Sequence, residues 1–290
     1  MFSSVKYLYR SAGLGDVLWT EPLIKQLAAK NRKIILFTHF TELFENYPLQ
    51  NVVIKKIPSG LKRALLKVCN FFLGNNLYFK LDGAYEANPK MHMLHAYQKF
   101  FGLALLNVYP SIFLSREEKK PFDFLAGKYV VLHLDNATDL NYRKVYGVDW
   151  NEIVLFLKKQ NFDVILIGKN NYNLENATAF NGNIRELIRL IYHSQFFIGL
   201  DSGPSHIAAS LQKPSIIFFG SVNPLYRHFT EIFTGIFMQQ FCEYAGCYHE
   251  VVGGNGQTCK LVGDSGTPKC CVHTTGDVKD NIELLIKKYL

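Results

Sequence analysis

Asp201, Ser202 and Gly203, followed by Pro204, Ser205 and His206, bring a carboxylate, two hydroxyls and an imidazole into one short stretch. Before them, 195–199 is apolar enough for a strand buried on both faces, and Pro204 suits the first position of a helix. That helix is expected to end near Leu211, since Pro214 prevents its extension, and 215–219 reads as the next buried strand. A strand, a tight turn and a helix start present unpaired N–H groups and the positive end of a helix dipole, which together attract phosphate. The small pair Ser202-Gly203 lets an anion approach the main chain, with His206 on or near the same rim. An ordinary strand–helix turn with a capping serine has the same local pattern.

A second glycine turn stands near the start. After an alternating, aromatic-rich strand at 5–10 comes Ser11-Ala12-Gly13-Leu14-Gly15-Asp16, with Asp16 at or near a helix N-terminus. A carboxylate there is either a cap or a general base.

These two stretches, in this order, resemble the motifs of glycosyltransferase family 9, the family of the ADP-heptose:lipopolysaccharide heptosyltransferases. The C-terminal resemblance rests on Asp201-Ser202-Gly203, His206, Ala208-Ala209, Pro214, Phe219-Gly220 and Pro224, and the N-terminal one on Gly15, Asp16, Pro22 and Leu27. The resemblance implies that Asp16 is the catalytic base. It also implies that Gly15, Thr138, Lys144, Glu175, Asp201, Ser202, Gly203, Ser205 and His206 serve the donor. Lys144, with Arg143 as rival, would hold phosphate from the polar loop after 129–134, although Tyr146 stands where the family commonly has tryptophan. Glu175 is the nearest acid to the ribose-binding position, and lies late for it. Residues 181–193 resemble the family's adenine-side loop and helix.

The implied reaction moves a sugar, with ADP-heptose the leading donor, onto a glycolipid or polysaccharide such as lipopolysaccharide core. A single base attacking opposite the leaving group implies inversion. No Asp-x-Asp stands at a plausible diphosphate site, so N–H groups at 202–206 and a lysine are expected to stabilise the leaving group without a metal. A sugar-nucleotide-binding protein without catalysis, or a related transferase with another donor or a protein acceptor, fits the same motifs.

The elements around these stretches alternate strand and helix twice. Strands are expected at 33–38, 51–55, 76–81 and 164–168, and helices at 61–73, 92–102, 174–180 and 277–290. The Pro-bounded stretch 110–121 reads as a linker. The predicted fold is α/β of the GT-B type: two doubly wound Rossmann-like domains, 1–115 on the acceptor side and 122–290 on the nucleotide-sugar side, facing across a cleft.

Charge divides along the same line. Residues 1–120 hold 17 Lys/Arg against 8 Asp/Glu, a net +9, while the remainder is −1. The first half is therefore expected to meet something anionic, either the acceptor or a membrane surface. Helix 61–73, with Lys62, Arg63 and Lys67 beside Leu and Phe, is the candidate element, or else it packs its apolar face on the domain. No nucleic-acid motif accompanies the charge. With no apolar run near the ~18 residues of a span and no signal-peptide core at the start, a cytoplasmic protein is expected, peripheral at the inner face of the membrane.

Of the six cysteines, five cluster within the Gly-rich segment 241–273. Cys242, Cys247, Cys259 and Cys270 have the number for a structural zinc site but not the paired C-x₂-C spacing. Zinc, disulfides and free thiols all remain open, none of them catalytic. His92 and His95 lack a third metal ligand and read as packing and surface residues.

Overall fold

The computed structural model describes residues 5–11, 13–30, 32–72, 79–85, 87–125, 127–135, 140–168, 173–250 and 258–290. They form two compact units, 1–113 and 114–290.

In the first unit, β1 (Val5–Tyr9), β2 (Lys33–Thr38), β3 (Val52–Lys56) and β4 (Phe79–Lys80) make a parallel sheet in the order β3-β2-β1-β4. Between them run α1 (Leu14–Leu18), α2 (Thr20–Ala28), α3 (Gly60–Phe72) and, after β4, α4 (Met93–Phe100). Leu23, Ile24 and Leu27 of α2 and Leu94 and Tyr97 of α4 are fully buried. That is the one-sided burial their apolar spacing demands. The expected strand at 76–81 is seen as Phe79–Lys80, its earlier residues lying outside those described.

The second unit holds β5 (Tyr129–His133), α5 (Trp150–Lys159), β6 (Asp163–Ile167), β7 (Ala177–Phe180), α6 (Ile184–His193), β8 (Phe196–Leu200), α7 (Gly203–Ser210), β9 (Ser215–Phe218), β10 (Gly235–Met238) and α8 (Thr275–Tyr289). Its six parallel strands run β10-β9-β8-β5-β6-β7. This is the doubly wound dinucleotide-binding order, which reverses between β5 and β8. Each of the central strands β5, β8 and β9 is buried along its whole length. Helices on both faces require such uniform apolarity.

One element differs in type from expectation. The stretch 174–180 is not a helix: Ala177–Phe180 pairs in parallel with Val164–Ile167 at the sheet edge. The spacing of Leu174, Ala177 and Phe180 suits a helix, but the open edge of β6 offers these backbone groups partners at once, and Asn176, at φ 65°, turns the chain into register.

The expected linker is shared between the units, and its second part is held to α6. Arg185 Nε donates to Glu118 Oε1 at 2.6 Å, Arg189 donates to the Lys120 and Pro121 carbonyls, and the Arg189 guanidinium lies 4.1 Å from the Phe122 ring centre. Burial opposes ionisation of Glu118, but bonds from Arg185 and Ser115 outweigh it and hold its pKa at about 2, below the ordinary 4.5. A depressed carboxyl pKa contributes stability that is fully present above about 4.5 and lost as pH falls toward 2. Glu118→Gln should therefore flatten the acid limb of the melting-temperature profile in that window. An unchanged limb would show that the clamp carries no stability.

Candidate functional site

In each unit the chemistry-bearing residues gather where the strand order reverses, beyond the strand C-termini, the position at which open α/β sheets take ligands.

In the first unit that point lies between β1 and β4. The Ser11 N–H and Oγ donate to the two Asp82 carboxylate oxygens at 2.9 and 2.8 Å, lacing the two strand ends together. Asp16 sits in the first turn of α1 without capping it. Arg10, whose side chain is 1% exposed, instead donates from NH2 to Asp16 Oδ2 at 2.6 Å and from NH1 to the Leu81 carbonyl at 3.0 Å. Asp82 Oδ1 is 3.6 Å from the same guanidinium. The Asp16 side chain remains 28% exposed, so its carboxylate is oriented from behind and open in front. Gly13 makes room for this. It has φ 74°, and a Cβ there would fall 2.4 Å from Asp16 Oδ2. Gly15 is buried one position before Asp16.

A cavity of about 610 Å³ opens beside Ser11 and Asp82. Arg63 and Lys67 of α3 and Lys80 of β4 supply its cations, and Tyr9, Phe71, Phe79 and Phe100 its aromatic walls. The lining suits a ligand with apolar faces and negative charge.

In the second unit, β5 and β8 flank the reversal. Ser202 Oγ donates to the Leu200 carbonyl at 3.1 Å and, its one proton spent, accepts from His133 Nδ1 at 3.1 Å. Burial pushes His133 down to about 4, with Asp135 opposing, so it is neutral at pH 7. The turn engages more of its own donors than expected. The Ser202 N–H donates to Ser205 Oγ, and the Ser205 and His206 N–H groups donate to the Ser202 carbonyl. Pro204 has no N–H. Among the described residues, the Gly203 N–H is left as the donor of this turn not engaged within the chain. Gly203 does not have positive φ.

Charge comes instead from side chains around Asp201. Arg143 NH2 donates to the Asp201 carbonyl at 2.8 Å and to Oδ2 at 3.1 Å, and Arg227 Nε lies 3.8 Å from Oδ2. His206 Nε2 is 3.8 Å from Oδ1, and the His206 ring stacks on His228 with centres 4.8 Å apart. Asp201, His206 and His228 are all buried, with ligand-type atoms within 4.8 Å of one another. They have the composition of a divalent-metal site, but two guanidinium groups already face this carboxylate, and such charge opposes a cation. The set fits an anion held by Arg143, Arg227 and His206 better, with Asp201 as their anchor.

The structure thus joins Asp201, Ser202, Ser205 and His206, and it places Arg143, rather than Lys144, against Asp201. Lys144 follows, half-buried, at the end of the 3-10 turn Asn141–Arg143. Glu175 is exposed, its main-chain N–H donating to Asn151 Oδ1. Thr138 lies outside the described residues. Arg10, Gly13, His133, Arg227 and His228 are additions that sequence reasoning missed. Gly13, two positions before Gly15 in the same glycine turn, carried the only local signal.

None of the six cysteines is in a disulfide, and Cys242, Cys247, Cys259, Cys270 and Cys271 are buried. Burial and the neighbouring Cys270 and Cys259 push Cys247 up to about 11. Cys270 and Cys271 Sγ are 3.9 Å apart. Cys271 is pushed up as well, chiefly by its bond with Cys270, while the same bond pulls Cys270 down. Gly220 belongs to this wall, since a Cβ there would fall 2.5 Å from Cys271 Sγ and 2.0 Å from the Tyr142 carbonyl oxygen.

Residues 89–231 match the family model for glycosyltransferase family 9 (heptosyltransferase). Over 52 residues the chain is 45% identical to lipopolysaccharide heptosyltransferase 3 of Escherichia coli, a match covering 17% of this chain and 15% of that relative. Among solved structures it is similar to iron-containing, dodecameric TibC of enterotoxigenic E. coli H10407, at 16% identity and TM-score 0.74 over 99% of this chain and 77% of that one. TibC in complex with ADP-D-beta-D-heptose aligns with TM-score 0.77 at 16% identity, over 99% of this chain and 76% of that one. The E. coli heptosyltransferase WaaC with ADP aligns at 14% identity and TM-score 0.61 over 97% and 99% of the two chains. At these identities the structural likeness is one of fold.

Proposed function

We propose that this chain, whose residues 89–231 match the model of glycosyltransferase family 9 (heptosyltransferase), transfers a sugar, heptose from ADP-heptose in the first instance, to a saccharide or glycolipid acceptor. The 114–290 unit holds the nucleotide sugar and the 1–113 unit the acceptor. Asp16 takes the proton of the acceptor hydroxyl, whose oxygen forms the new bond at the anomeric carbon. The bond from that carbon to the diphosphate breaks, and ADP leaves with its electron pair. Attack opposite the leaving group inverts the anomeric centre.

The observation that supports this best is the pair of guanidinium groups, Arg143 and Arg227, that face Asp201 beside His206, at the strand reversal where nucleotides bind. It provides electrostatics for a departing diphosphate without asking for a metal at that step. Lys144 and Glu175 belong to the proposal as further phosphate and ribose contacts. The cavity beside Ser11 and Asp82 supports an anionic acceptor such as lipopolysaccharide core. We include a structural metal ion among Cys242, Cys247, Cys259 and Cys270, with Cys271 adjacent. Zinc suits such thiolates, and the iron of TibC makes iron the rival. Metal analysis of the purified protein decides between them.

Donor titration by calorimetry tests the central reading. ADP and ADP-heptose should bind more tightly than UDP and UDP-sugars. Gly203→Val, which sets a branched side chain at the turn's unengaged N–H, should weaken ADP binding by ~10²-fold or more. Wild-type affinity in that variant would place the diphosphate elsewhere, and equal, negligible binding of all four ligands would remove the nucleotide-sugar reading.

A further inference from the structure

The apolar face of α3 is turned to solvent. Leu61, Leu65, Val68 and Phe72 follow one another at helical spacing of four, three and four, and they are 87, 64, 50 and 79% exposed. Phe71 beside them is 72% exposed. A domain helix ordinarily buries such a stripe, and leaving it in water is unfavourable for every side chain in it. Sparse single apolar residues on a surface carry no meaning; a contiguous helical row of them marks a contact surface.

The charges around this row say what it contacts. Lys62, Arg63 and Lys67 flank it on the helix, and Lys55 and Lys56 precede it, all exposed. From residue 46 to residue 81 the chain has six Lys/Arg and no Asp or Glu. A second copy of this helix would bring like charge against like charge, which opposes pairing. Apolar side chains in the middle and cations at the flanks are the composition of a helix lying in the interface of an anionic bilayer. No helix among the described residues is long and apolar enough to cross a membrane, so the contact is one of surface attachment.

We propose that α3 is a membrane-docking helix: Leu61, Leu65, Val68 and Phe72 enter the headgroup–acyl boundary of an anionic bilayer, and Lys55, Lys56 and Lys62 pair with its lipid phosphates. The proposal deepens the acceptor side of the function above, because Arg63 and Lys67 of the same helix line the cavity beside Ser11 and Asp82. A lipid-linked acceptor would thus meet the cavity from the surface on which the helix lies. Docking itself requires no transfer.

Vesicle flotation tests it, with phosphatidylcholine alone against equal parts phosphatidylcholine and phosphatidylglycerol. The protein should float with the anionic vesicles only, and less so as salt is raised. Leu61→Gln with Leu65→Gln should lower partitioning by ~10²-fold, and Lys55→Gln, Lys56→Gln and Lys62→Gln together by a similar ~10²-fold. All five positions are exposed, so both variants should fold and bind ADP as the parent does. ADP binding together with transfer to a soluble acceptor tracks the catalytic reading separately. Absence of flotation with anionic vesicles, or apolar variants that float as well as the parent, would overturn the docking helix. So would a fall in oligomer mass on sedimentation in place of lost flotation, which would make α3 a face between copies.

Discussion

Asp16→Asn should slow sugar transfer by ~10²-fold or more, the range for loss of a general base, while ADP binding stays within about twofold of the parent, since the residues proposed to hold the donor lie in the 114–290 unit. Asparagine keeps the size of the side chain and can still accept from Arg10, so the orientation imposed from behind survives. What it cannot do is take a proton from a hydroxyl at neutral pH. The substitution also removes the negative partner of a buried guanidinium. Orphaning a fully buried partner costs about 3–5 kcal/mol. The loss here should be nearer 1–2 kcal/mol, because Asp16 is partly exposed and Asp82 stands 3.6 Å from the same group. Assays must therefore run well below the variant's melting temperature. Turnover close to the parent's under those conditions would leave Asp16 as Arg10's counter-ion and nothing more.

Gly13→Ala should be nearly as damaging to turnover, although no functional atom is removed. The added Cβ falls 2.4 Å from Asp16 Oδ2, closer than such atoms approach, on a backbone at φ 74°. Either the carboxylate swings away from Arg10 or the turn re-forms, and both misplace the base. A displacement of about 1 Å at a reacting group can cost ~10²-fold. The drop should appear in kcat with the donor KM little changed. Gly15→Ala is the informative partner: Gly15 does not have positive φ, so the strained-backbone argument does not apply to it. If the two alanine variants behave alike, clearance of Asp16 is not what Gly13 provides.

The donor turn was legible in sequence because its determinants are contiguous: an apolar strand, a small-residue turn, Pro204 at the helix start and Pro214 beyond its end. The cations that face it were not. Arg143 and Lys144 are neighbours of like charge, and which one meets Asp201 depends on a 3-10 turn that no short pattern announces. Arg227 and His228 arrive from after β9, with nothing in their surroundings to mark them. Arg10 closes an alternating aromatic strand and reads as its last residue, since its burial becomes visible only with Asp16, Leu81 and Asp82 in place. At β7 local periodicity misled, because a four-residue edge strand takes its identity from β6 rather than from its own spacing. The apolar face of helix 61–73 was clear, but only the structure shows that the domain leaves it uncovered.

If Asp16 is the base proposed above, its pairing with Arg10 ties a working part of the protein to its folding. A descendant that no longer needed the base could not discard Asp16 without leaving a charged group stranded under β1, and it would be less stable for as long as Arg10 stayed. Loss of activity along such a lineage should therefore leave a double mark, with position 10 turning apolar or uncharged soon after position 16 changes. Lineages that keep the activity should keep both. Two residues six apart would then record whether a given descendant is still an enzyme, independently of its donor or acceptor.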